Sequence, residues 1–133
     1  MLTEKDYCDY DTCVALKELG FPQDYIFARY ANVDKWVDYT SHKKGDLIVS
    51  EDRFAFTVES ESIVAPLLYE AQKFLREEKK IIVNIDIDYN WYYGIYFSEG
   101  NIYPPQFSEG EYGSYEKALL EGIKEAVKIL KGE

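Results

Sequence analysis

"IIVNIDIDYNWYYGIYF", residues 81–97, is the stretch whose reading decides the fold. In an extended chain Ile81, Val83, Ile85 and Ile87 share one face, and Asn84, Asp86 and Asp88 the other. Beyond the turn Trp91, Tyr93, Ile95 and Phe97 again share a face. A three-residue loop at 88–90 pairs Ile87 with Trp91, Ile85 with Tyr93, Val83 with Ile95 and Ile81 with Phe97. A two-residue loop mixes apolar and polar faces, so register selects the turn and predicts an antiparallel hairpin.

Asp86, Asp88 and Asn90 also fall at the spacing of the first three ligands of a calcium loop. That loop needs a glycine after the third ligand and a glutamate at its twelfth position. Those positions hold Trp91 and Phe97. The tight turn and the bidentate ligand are both missing, and we expect neither metal nor cofactor here. As an acid–base pair the two aspartates would stand about 7 Å apart along a strand, within the glycosidase range. No oxyanion donor, nucleophile motif or orienting partner accompanies them.

Working outward, "DYDTCVALKELGFP" (9–22) reads as a helix. Asp9 or Asp11 caps its start, Val14, Leu16 and Leu19 are its apolar positions, and Gly20 ends it. With Gly20 left-handed, Phe21 reaches Leu16 as a Schellman motif requires, and Pro22 blocks continuation. "APLLYEAQKFLREEKK" (65–80) predicts a second helix with Pro66 in its first turn and an apolar stripe of Leu67, Leu68, Ala71, Phe74 and Leu75. Ser114 caps a third, "YEKALLEGIKEAVKIL" (115–130), with Tyr115, Leu119, Gly122, Ile123, Ala126 and Leu130 on one face. Gly122 lies on that stripe, where close approach of the aromatic strands would offset the cost of a helical glycine.

Residues 25–58 carry short β-type segments, "YIFARY", "KWVDYT", "DLIVS" and "RFAFTV", of which two to four are expected as strands. Phe54, Phe56 and Val58 alternate cleanly. The order helix, strands, helix, hairpin, helix predicts an α+β fold over residues 1–133 as a single domain. We expect an antiparallel or mixed sheet of about four to six strands with three helices mostly on one face.

Composition narrows the function classes. Fifteen basic against twenty-five acidic residues give a net charge of -10, which repels phosphate backbones and anionic membranes. Direct nucleic-acid binding and membrane association are not expected. "MLTEKDYCDY" has neither the basic nor the apolar region of a signal peptide, so a cytoplasmic protein is expected. Cys8 and Cys13 suggest buried or half-buried free thiols rather than a metal pair or a disulfide. His42, in the polar "SHKKG", reads as a surface residue. No phosphate loop, GxSxG, HExxH or CxxC is present.

Residues 81–115 hold five acids, no lysine or arginine, and ten aromatics. Most of those rings are core filling. Tyr92 and Tyr96, however, lie on the face opposite Trp91, beside Asp86, and "NIYPPQFSEGEYG" (101–113) adds Tyr103 in an aromatic loop. Asp86, Tyr92, Tyr96 and Tyr103 are the candidate interaction surface, for a protein partner or a second copy. Two alternatives stand beside it: an acidic mimic of nucleic acid that blocks a host nuclease or regulator, and an enzyme using Asp86, Asp88 or Glu99 near the 98–113 loop.

Three segments, "YCDYDTCVALKELGF", "APLLYEAQKFLREEKKIIVNI" and "SYEKALLEGIKEAVKIL", together resemble a family of small uncharacterised proteins. These are carried by phages, prophages and mobile elements of gut bacteria related to Bacteroides. The likeness covers about half the chain and rests mostly on helix signals. It implies an accessory protein of the infected or lysogenic host, and brings no activity, cofactor or catalytic residue.

Overall fold

The computed structural model describes residues 2–24, 28–37, 40–49, 62–98 and 105–132. The expected strand "RFAFTV", with Phe54, Phe56 and Val58, lies outside them. The fold is α+β, in the expected order of helix, strands, helix, hairpin and helix. Among the described residues its strands are all antiparallel and divide into two three-stranded sheets and a two-stranded ribbon instead of one sheet. The chain groups into two compact units, one of Tyr7–Pro66 and the other of Met1–Asp6 with Leu67–Glu133.

The Tyr7–Pro66 unit holds α1 (Tyr10–Glu18) and strands β1 (Ala28–Ala31), β2 (Lys35–Val37), β3 (Thr40–His42), β4 (Leu47–Val49) and β5 (Ser62–Val64). Asp9 is the cap of α1, its side chain accepting from the Thr12 amide at 2.9 Å. At the other end Phe21 N–H reaches Leu16 O at 2.9 Å and Gly20 N–H reaches Lys17 O at 3.0 Å, the two bonds of a Schellman motif. Gly20 takes the left-handed conformation, φ +97°.

β1 is the central strand, flanked by β4 and β5. Tyr30 donates its hydroxyl to Cys8 O at 2.7 Å, and Arg29 Nε donates to Ser62 Oγ at 2.6 Å, tying the sheet to the helix entry and to β5. Cys8 and Cys13 are buried free thiols. His42 corrects the sequence reading. It closes the β2–β3 ribbon opposite Lys35 and is 8% exposed, although the polar turn that follows it does lie at the surface. Local polarity describes 43–46, while His42 still belongs to the strand.

The second unit is built on β6 (Ile81–Asp88) and β7 (Asn90–Phe97), with α2 (Leu68–Glu78), α3 (Tyr115–Lys131) and a two-residue strand, β8 (Gln106–Phe107). The register is the expected one throughout: Ile81 opposes Phe97, Val83 Ile95, Ile85 Tyr93 and Ile87 Trp91. Tyr89 turns the hairpin in a left-handed conformation, φ 67°, fully exposed. Ile81, Val83 and Ile95 are buried together with Leu68, Ala71 and Leu75 of α2 and Leu119, Ile123 and Ala126 of α3. The second helix starts one residue beyond Leu67, whose amide is accepted by Glu70 Oε1 at 2.9 Å, so Pro66 precedes the cap instead of occupying the first turn. Val127 and Ala118 join the buried stripe of α3, while Tyr115 lies toward the surface.

Gly122 explains how close α3 comes. A Cβ there would stand 2.6 Å from Val83 Cγ1 and 3.0 Å from Tyr93 Cβ, so the absent side chain lets the helix rest directly on the sheet.

Candidate functional site

On the face of the hairpin away from Gly122, β7 presents Tyr92, Gly94 and Tyr96 in sequence. Gly94 leaves a gap between the two tyrosines. Phe107, directly opposite Gly94 on β8, fills it, with ring carbons 2.9 and 3.0 Å from where a Cβ of residue 94 would sit. Its ring meets Tyr96 edge-on, centroids 5.8 Å apart at 86°, and Tyr92 at 6.5 Å and 63°. Edge-to-face rings attract through their quadrupoles, about 0.5–1.5 kcal/mol per pair beyond burial. A glycine covered by an aromatic of the neighbouring strand is a known way of stabilising a sheet without filling the glycine's own position. Phe107 nevertheless remains 58% exposed.

The segment carrying Phe107 is fastened along the rest of β7. Tyr93 N–H donates to Ser108 Oγ at 2.9 Å and Ser108 N–H to Tyr93 O at 3.0 Å. Trp91 and Tyr112 exchange backbone bonds at 2.9 and 3.2 Å, and Glu109–Glu111 bulges between these anchors. Gly110 fits there because a Cβ would meet Asp88 O at 3.2 Å. The described part of the loop thus packs against the hairpin.

Of the candidate surface residues, Tyr92 and Tyr96 are brought together through Phe107. Asp86 stands opposite Tyr92 on β6, its carboxylate accepting from the Ile87 amide at 2.8 Å. Tyr103, like Glu99, lies outside the described residues. Phe107 was missed in the sequence. The signal for it was Gly94 itself, a glycine inside an aromatic strand, but nothing local says which distant ring covers it.

Across the sheet, Tyr93 and Tyr112 stack at 6.1 Å and 25°. Burial, followed by the charges of Glu125, Glu121 and Glu111, raises the Tyr93 phenol above its ordinary value. Burial first, and then Tyr93 and Glu111, push Tyr112 up to about 12. Both stay neutral hydroxyls through the physiological range. Among the described residues no group of three or more histidine, cysteine or carboxylate side chains is arranged to hold a metal ion, and no helix is long and apolar enough to cross a membrane.

The fold and this surface together define an α+β protein with an aromatic, acid-flanked hairpin face. No family model, curated protein or solved structure matches the chain.

Proposed function

We propose that this protein is a non-enzymatic interaction module, which holds a protein partner against the hairpin face formed by Tyr92, Phe107 and Tyr96 with Asp86 beside them. The observation that supports this reading is Phe107, a large ring fixed on both sides by tyrosines and still more than half exposed. Rigid aromatic anchors contribute contact area at little entropic cost, and a few of them usually carry most of an interface's energy. The likeness to phage and mobile-element proteins makes an accessory role in a bacterial host part of the same proposal.

The test is size-exclusion chromatography with light scattering, on the protein alone and mixed with lysate of a Bacteroides-related host. A specific complex is expected, lost on Phe107→Ala and kept on Tyr69→Ala, which removes an exposed tyrosine of α2. A dimer abolished by Phe107→Ala would make the partner a second copy. A complex indifferent to Phe107 would overturn the reading.

A further inference from the structure

Among the described residues β6 is an edge strand, and the direction of its backbone groups follows from its neighbours. Trp91 and Tyr93 turn their amides and carbonyls toward Tyr112 and Ser108. The even residues of β7 therefore bond β6, and the odd residues of β6 point outward from the sheet. Two contacts agree with this. Val83 O accepts from Gln72 Nε2 of α2 at 2.8 Å, and the Ile87 amide is occupied by the carboxylate of Asp86 at 2.8 Å. Ile85 between them has no such cover among the described residues, and neither has the Ile87 carbonyl.

The flanks of this opening differ in chemistry. On the helix side Ile87 is 53% exposed. On the other side Asn84, Asp86 and Asp88 are all exposed, and neither aspartate is ion-paired among the described residues. We propose that the 84–88 edge of β6 takes up an extended segment of a partner protein as an added antiparallel strand, one that alternates apolar with lysine or arginine residues. The incoming residue opposite Ile85 exchanges two backbone bonds with it and rests its side chain beside Ile87. Its neighbours point to the other face opposite Asn84 and Asp86, where a basic residue pairs with Asp86, and the next basic residue along the strand pairs with Asp88. The Asp86 carboxylate leaves the Ile87 amide, which an incoming carbonyl takes over, and turns to the basic side chain. A second copy of the chain fits poorly, because antiparallel pairing of two β6 strands crowds four aspartates onto one face. This edge shares Asp86 with the aromatic face of the proposed function but uses none of its rings, Tyr92, Tyr96 and Phe107.

The probe is a labelled short peptide of alternating valine and lysine. It is compared with a valine–glutamate peptide and with the valine–lysine peptide carrying N-methyl groups on alternate amides, which keeps the charge but removes the donors. Fluorescence anisotropy and amide exchange at Ile85 are the readouts. The valine–lysine peptide should bind and protect the Ile85 amide. The N-methylated peptide should not bind, and Asp86→Asn with Asp88→Asn should weaken binding about tenfold. Tyr92→Ala with Tyr96→Ala should leave it unchanged, so that failure here is distinguishable from failure of the aromatic face. Equal binding of the N-methylated or glutamate peptide, loss on the tyrosine substitutions, or concentration-dependent protection of Ile85 in the protein alone would each overturn the proposal.

Discussion

At the scale of single residues, Gly122 sets the distance between α3 and the hairpin. In an open helix an alanine there would gain about 1 kcal/mol. Here its methyl meets the branched Val83 and the Cβ of Tyr93, an atom that moves only with the β7 backbone. Overpacking of this kind costs about 1–3 kcal/mol before the helix must lift, so Gly122→Ala is expected to lower stability in urea unfolding. An increase would show that the helix has room to spare. Tyr112 offers a second residue-scale test. Its folded pKa, about 12, lies above the unfolded value of 10.0. The unfolded chain therefore releases its proton first, and the Tyr112 contribution is complete below pH 10 and lost as pH rises toward 12. Ultraviolet titration with denaturation at each pH should show stability falling across that window, with a smaller fall in Tyr112→Phe.

At the scale of elements, the features that announced themselves were those in which local chemistry and tertiary environment agree. Alternation through 81–97 is legible because a one-residue slip would bury Asp86 and expose Val83. The end of α1 is legible because Gly20, Phe21 and Pro22 act within a single turn. Gly20→Ala must hold a Cβ at φ +97° and is expected to cost about 1–2 kcal/mol, measured by thermal melting; an unchanged Tm would mean that the Schellman turn contributes nothing to the Tyr7–Pro66 unit. β5 and β8 were illegible for the opposite reason. Three residues at Ser62–Val64 and two at Gln106–Phe107 are too short for a period, and their pairing is imposed by strands far away in sequence. The same limit hid one ring of the candidate site. Tyr92 and Tyr96 could be placed on one face from the hairpin alone, whereas Phe107 reaches them only through the register of β8 with Gly94.

At the scale of the whole molecule, charge acts on folding and on binding with opposite sign. A net charge of -10 repels itself in the compact state more than in the expanded chain. Two ion pairs at the surface of α3, Lys117–Glu121 at 3.3 Å and Lys124–Glu121 at 3.6 Å, join neighbouring turns and contribute only tenths of a kcal/mol each. With ten more acids than bases, screening is expected to remove more repulsion than attraction, and Tm should rise as sodium chloride is increased from low ionic strength to about 0.15 M, where the Debye length is about 8 Å. A basic strand on the β6 edge faces the reverse balance, since its pairs with Asp86 and Asp88 are exposed and lose strength over the same range. Differential scanning fluorimetry and peptide anisotropy along one salt series separate the two effects. If Tm falls with salt instead, attractive pairs outweigh the surplus of acid, and weaker peptide binding at high salt could then reflect loosening of the hairpin as readily as screening of its edge.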